Sequence, residues 1–253
     1  MHLILTGATG LAGSGVLAAM IKMKDITKIS ILSRRPVKMA EDAQDPRIHV
    51  IIHKDFEKYD SEVLSQLQGA RGCVWALGIS QNQVGKEEYI KITKDYALAA
   101  AESFQTLASD SEPFSFVYVS GKGATLEPGR FSPIFARVKG ETELALAEMR
   151  KTNPWFHAMS TRPSVIDPVT HDAIKPYIPT PPFSIGIARA VLAPAVRVGL
   201  PKQYSPTEEL GRILTELAMG NHTDRFTGKD IQKVGEFPIL ENSAMRRLAA
   251  SSK

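Results

Sequence analysis

The chain has 253 residues, 43% hydrophobic and 23% charged, with a formal net charge of +4. That length suits one large α/β domain or two small ones, and the balance is ordinary for a soluble globular protein. The single cysteine, Cys73, excludes an internal disulfide framework and reads as a small buried residue of a strand. Basic residues are scattered, with no stripe interleaved with aromatics, so no nucleic-acid partner is expected. No His/Cys cluster has metal-ligand spacing, so no metal is expected either.

The first predicted strand, Leu3–Thr6, runs straight into Thr6-Gly7-Ala8-Thr9-Gly10-Leu11-Ala12-Gly13. A helix over Leu11–Lys22 follows, with Leu11, Val16, Leu17, Met20 and Ile21 as an approximate apolar stripe. Strand, glycines three apart, then helix is the arrangement that holds a pyrophosphate. Gly7 allows the tight turn, Gly10 lets the backbone approach the phosphates, and Gly13 lets helix and strand pack closely. The helix N-terminus offers free N–H groups to an anion. Gly7, Thr9, Gly10, Leu11 and Gly13 are therefore the expected dinucleotide contacts. The competing reading is a plain structural turn.

The second strand, Lys28–Ser33, ends in Ser33-Arg34-Arg35. A strand built for NAD ends here in Asp or Glu, to bond the ribose 2′-hydroxyl. Two guanidiniums suit a 2′-phosphate instead, which points to NADP(H). A solvated basic turn is the bland alternative. The third strand, His49–Ile52, leads to Lys54-Asp55-Phe56. Asp55 has two readings, an acceptor for the adenine amino group or the cap of the next turn.

A helix over Ser61–Gln68 precedes the fourth strand, Gly72–Leu77, whose end Ala76-Leu77-Gly78 is small enough for a cofactor to lie against. A long helix over Lys86–Leu107 leads to the fifth strand, Phe114–Ser120, and to Gly121-Lys122-Gly123. A helix over Ser132–Arg150 and a sixth strand, Phe156–Arg162, follow. Pro163 is expected to rigidify the loop near a nicotinamide. Strand-helix alternation implies a Rossmann-type doubly wound parallel sheet, helices on both faces, in strand order 3-2-1-4-5-6.

After Arg162 the pattern changes. Pro163, Pro168, Pro176, Pro179, Pro181 and Pro182 crowd a short interval and read as irregular structure over the sheet's edge. A helix starts at Ser205-Pro206-Thr207, with Leu210, Ile213, Leu214 and Leu217 as its apolar face. Residues 1–162 are expected to form the NADP-binding domain. Residues 163–253 are expected to form a small C-terminal substrate cap integrated with it. The apolar stretch Ile185–Leu200 is broken by Arg189, Pro194 and Arg197 and is too interrupted to span a bilayer. The chain begins inside its first strand, so no cleavable leader is expected. Cytoplasm is the expected compartment, with peripheral attachment to an organelle as the alternative, and a monomer or homodimer is the expected state.

These motifs together resemble the short-chain dehydrogenase/reductase superfamily, in its atypical branch, near the Tat-interacting-protein-type oxidoreductases and their small fungal relatives. The glycine loop, Ile31 to Pro36, Asp55-Phe56-Glu57-Lys58 and Ala76-Leu77-Gly78 carry the likeness. So do Val119 to Ala124, Val138-Lys139-Gly140-Glu141 and Arg162-Pro163, with a weaker echo at Leu240-Glu241-Asn242. The likeness covers about the first 165 residues.

The resemblance implies a Tyr-x-x-x-Lys pair on the helix after strand five, stacked on one helix face. The lysine maps to Lys139, which would hold the nicotinamide ribose. Four residues earlier stands Phe135, so the usual proton donor is missing. Ser120 matches the residue that orients the substrate, although Gly121 or Lys122 is its rival for that place in space. Ser120, Lys122 and Tyr118 are the candidate replacement donors. Tyr118 also reads as a core aromatic, and His157 as a packed or surface histidine.

The resemblance thus implies an NADP(H)-binding oxidoreductase of a small organic substrate. Two other classes stay open: a non-catalytic NADPH-binding sensor or scaffold, and a non-redox isomerase, dehydratase or cyclase using the same pocket.

Overall fold

The computed structural model describes residues 1–179 and 203–251. The stretch Ile185–Leu200, Pro181 and Pro182 lie outside the described residues. Strand β1 (His2–Thr6) is buried along its whole length, as befits a central parallel strand covered on both faces. Around it stand β2 (Lys28–Ser33), β3 (Ile48–Ile52), β4 (Ala70–Trp75), β5 (Phe114–Val119) and β6 (Phe156–Arg162). Near the C-terminus, β9 (Ile231–Val234) and β10 (Phe237–Glu241) complete one eight-stranded sheet in the order β3-β2-β1-β4-β5-β6-β10-β9. The first six strands take the expected 3-2-1-4-5-6 order. All neighbours are parallel except β10 and β9.

Helices cover both faces. On one, α1 (Leu11–Lys22) packs against a late helix, α7 (Thr207–Ala218). The two backbones meet at glycines: a Cβ on Gly211 would lie 2.1 Å from the Gly15 carbonyl oxygen. Leu210, Ile213, Leu214 and Leu217 of α7 are buried, as their spacing predicts. On the other face lie α3 (Ser61–Leu67), α5 (Tyr96–Phe104) and α6 (Ile134–Thr152). Their core is aromatic, with Trp75 and Phe116 stacked at 6.1 Å and Phe114 and Phe156 at 6.3 Å.

Three features depart from the sequence reading. Strand β4 stops at Trp75, so Ala76, Leu77 and Gly78 belong to the following loop. The Lys86–Leu107 helix is broken into α4 (Lys86–Ile90), a π-helical turn over Lys91–Asp95, then α5 and a short 3₁₀ turn. The Thr93 carbonyl inside that π turn accepts the Tyr118 hydroxyl at 3.2 Å.

The third departure lies after Arg162. The C-terminal region does more than cap the sheet's edge: it supplies β9 and β10, and α8 (Asn242–Ala250) packs behind them. A small separate parallel pair is formed by β7 (Val165–Asp167) and β8 (Tyr204–Pro206). Strand β10 is short and carries Pro238, which demotes it in any sequence reading. Gly235, at φ +57°, makes the turn from β9 into β10.

Candidate active site at the carboxyl edge of the sheet

The glycine loop sits where β1 ends. Gly7 has φ +69°, and a Cβ there would fall 2.3 Å from the Ala76 carbonyl oxygen. A Cβ on Gly13 would lie 2.0 Å from the Gly7 carbonyl oxygen, so both positions demand glycine. The Gly10 N–H closes the turn on the Gly7 carbonyl at 2.9 Å. A Cβ on Gly10 would meet only that carbonyl oxygen, at 3.3 Å, and otherwise faces open space. The loop is a cradle whose floor is backbone, fit for a group that must come close to main-chain N–H donors.

That cradle opens into a cleft of about 440 Å³ lined by Gly7, Thr9, Ser33, Arg34, Arg35 and Leu77, with Phe56 beneath. Arg34 and Arg35 are exposed, and no acidic side chain is found among the cleft's lining residues. The turn is shaped by Ser33, whose Oγ donates to the Arg35 carbonyl at 2.7 Å. Thr6, to which the sequence assigns no role, helps fix the opposite wall: its Oγ1 accepts the Leu77 N–H at 3.3 Å. Gly78 stands in open space beyond Leu77. Asp55 caps its own turn, its Oδ1 accepting the Glu57 N–H at 3.1 Å. Phe56 is buried in the aromatic core.

The second half of the site lies at the ends of β5 and β6. Lys139, on α6, reaches back to β5 and donates from Nζ to the Ser120 carbonyl. Its ammonium stands 3.1 Å from where a Gly121 Cβ would be. Burial pulls the Lys139 pKa down to about 8, against the opposing pull of Glu143 one turn further along α6. The Ser120 hydroxyl is buried and has no hydrogen-bond partner among the described residues. Phe135 lies one turn before Lys139, its ring against Gly123, which has φ +92°. The Phe135 N–H donates to Gln81 Oε1 at 3.1 Å, so the loop after β4 is pinned to the start of α6. Lys122 is exposed, and its N–H donates to the buried Pro163 carbonyl at 2.9 Å, joining the two strand-end loops.

Two candidates fall away from this edge. Tyr118 points into the aromatic core, and burial pushes its phenol pKa well up. His157 lies at the start of β6, at the far end of the strand.

Beneath the site is an ion cluster that sequence reading missed. Glu143, fully buried, accepts from Arg162 Nη2 at 2.5 Å, Arg162 Nε at 3.1 Å and Ser160 Oγ at 2.8 Å. Arg162 Nη1 also donates to Glu241 on β10 at 3.1 Å. The only sequence signal for Glu143 is an acidic residue four positions after Lys139 on the same helix face.

No family model matches the chain. Leucinostatins biosynthesis cluster protein T of Purpureocillium lilacinum is 33% identical over 255 residues, covering 94% of this chain and 90% of the relative. The chain belongs to the atypical short-chain dehydrogenase/reductase superfamily. Another fungal relative of this short-chain dehydrogenase/reductase is botcinic acid biosynthesis cluster B protein 16 of Botryotinia fuckeliana. It is 42% identical over 157 residues, 62% of this chain and 99% of that protein. Protein HTATIP2 of Rattus norvegicus is 27% identical over 146 residues, 58% of this chain and 61% of its own. Among solved structures, the Bordetella bronchiseptica enzyme WbmF in complex with NAD⁺ superposes with a TM-score of 0.64. That match has 11% identity and covers 95% of this chain and 72% of the other, which speaks to the fold alone. Among the described residues no helix is long and apolar enough to cross a membrane, and no cluster could hold a metal ion.

Proposed function

We propose that this chain is an NADP(H)-dependent oxidoreductase acting on a small organic substrate. The observation that carries the reading is one cleft bringing together the backbone phosphate cradle of the glycine loop and the exposed guanidiniums of Arg34 and Arg35. Gly7, Thr9, Gly10, Leu11 and Gly13 hold the pyrophosphate, and Ser33, Arg34 and Arg35 hold the 2′-phosphate. Leu77 and the loop residues Ala76 and Gly78 give the cofactor a smooth wall. When bound, NADPH supplies a hydride. Lys139 and Pro163 border the nicotinamide end, and Ser120 orients the substrate oxygen. The fungal relatives named for botcinic acid and leucinostatin clusters support a substrate from small-molecule biosynthesis.

Two measurements test this. The double variant Arg34→Ala/Arg35→Ala is expected to weaken NADPH by about 10²-fold, since charge-assisted hydrogen bonds contribute about 1.5–3 kcal/mol each. NADH affinity should change less than about threefold, within 0.7 kcal/mol. Equal losses for both in a calorimetric titration would show that the turn is no phosphate clamp. Separately, deuterium is expected to move from [4-²H]NADPH into one member of a panel of ketones, enones and quinones.

Phe135 favours a second reading, a sensor that binds NADPH and transfers nothing. It predicts tight NADPH binding with no deuterium moved to any substrate. A non-redox isomerase, dehydratase or cyclase predicts product formed equally with NADP⁺ and NADPH, or with neither.

A further inference from the structure

We propose that Lys139 is the proton-transfer group of this site, and not only a holder of the cofactor ribose. The inference rests on the oxidoreductase reading above. The ring of Phe135, pinned through Gln81 and laid on Gly123, fills the place one turn before Lys139 and has no acidic proton. The other donors near the strand ends are poorly suited. The Tyr118 hydroxyl is committed to the Thr93 carbonyl at 3.2 Å inside the core. Tyr89 on α4 is buried as well. The buried Ser120 hydroxyl has no hydrogen-bond partner among the described residues to take or return its proton. Lys122 points from an exposed position.

Lys139 has what these lack. One of its three N–H bonds is used on the Ser120 carbonyl, which aims Nζ at the end of β5. Gly121 leaves the space beside Nζ open, because a side chain there would begin 3.1 Å away. A substrate oxygen in the space beside Gly121 would lie next to the ammonium.

The charges around Lys139 permit exchange near neutral pH. Glu143, on its own helix, would hold the ammonium strongly if free, but Arg162 of β6 and Ser160 occupy that carboxylate. Arg162 in turn binds Glu241 of β10. Lys94 of the π turn is paired with Glu141 at 2.9 Å. Tyr118 and Tyr89 are held protonated by burial. Burial then dominates and brings the Lys139 pKa to about 8.

The step balances with NADPH as reductant. The carbonyl carbon gains a hydride and its two electrons, the C=O π bond breaks, and the Lys139 ammonium gives its proton to the oxygen. Lys139 is left as a neutral amine and regains a proton from water. NADP⁺ carries the oxidation.

The test uses the whole chain and two readouts. The first is acetic anhydride labelling of Lys139 between pH 6 and 11, followed by peptide mass spectrometry. Half-maximal reactivity is expected near pH 8. A midpoint above about 10, the range of an ordinary lysine, overturns the proposal. The second compares deuteride transfer and NADPH affinity in the parent chain, Lys139→Met and Lys139→Arg.

Both variants are expected to lose about 10²–10⁴-fold in kcat. NADPH Kd should rise less than tenfold in Lys139→Met. The reduction rate of the parent chain should fall as pH rises through 8, where the ammonium is lost. Recovery of kcat in Lys139→Arg, which keeps the charge but cannot cycle its proton, would assign Lys139 to positioning alone. If the parent chain moves no deuterium at all, the oxidoreductase reading fails and takes this proposal with it. Deuterium transfer that survives in Lys139→Met sinks only the proposal.

Discussion

Arg162→Met is expected to lower the unfolding free energy by about 3–5 kcal/mol, the range for breaking a buried ion pair from one side. The reason lies with the partner. Glu143 has no solvent access, and three hydrogen bonds to its carboxylate come from β6, two of them from Arg162. Without the guanidinium the carboxylate keeps only Ser160 and must stay charged in a dry setting or take up a proton. Glu241 is partly exposed and can turn to water, so it contributes little to the loss. Replacing both partners, Glu143→Leu with Arg162→Met, should recover much of the deficit, because no orphaned charge remains. Urea denaturation of the single and double variants reads the difference. A single variant that loses less than about 1 kcal/mol, the median worth of an exposed pair, would show that water reaches Glu143.

Several strands of the first two thirds are legible because they are continuous or nearly continuous apolar runs. Leu3 to Leu5, Ile29 to Leu32 and Phe114 to Tyr118 are buried on both faces, as strands of a parallel sheet covered by helices are. Strand β10 obeys the same physics but hides it. Its Pro238 stands in a five-residue strand that reads as loop, and only its pairing with β6 and β9 makes it a strand. The π turn escapes for a related reason. It involves Thr93, whose carbonyl receives a hydroxyl from β5, 25 residues away in sequence, and helical periodicity carries no trace of that partner.

The site divides along the same line. Gly7, Gly10 and Gly13 are legible because their job is local, set by backbone contacts within a few residues and by Ala76 on the neighbouring strand's exit. Lys139 and Phe135 are picked out by the likeness to the superfamily's Tyr-x-x-x-Lys pair, and both stand on α6, one turn apart. Glu143 is not, because a buried carboxylate makes sense only once Arg162 and Ser160 are brought to it by the sheet. Asp55 is a residue type with two uses, and the structure shows one of them: its Oδ1 accepts the Glu57 N–H of its own turn.

The three glycines also predict how cofactor binding is lost in two separable ways. Gly13→Ala is expected to raise the NADPH Kd by at least about 10²-fold, or 2.7 kcal/mol. It should also destabilise the fold by about 1–3 kcal/mol, as overpacking does. Its Cβ would sit 2.0 Å from the Gly7 carbonyl oxygen and 2.5 Å from the carbonyl carbon, so α1 must retreat from β1 and the loop must open. Neither neighbour is a flexible side-chain tip that can swing aside. Gly10→Ala differs. Its Cβ would meet one atom, the Gly7 carbonyl oxygen at 3.3 Å, and the fold can absorb a few tenths of an ångström. Its melting temperature should therefore stay close to that of the parent chain while NADPH binding falls, because the methyl group projects into the space the pyrophosphate needs. Thermal melts run beside NADPH titrations separate the two. Gly10→Ala binding NADPH as tightly as the parent chain would mean that the phosphates do not approach the loop there, and the cradle would then be a structural turn.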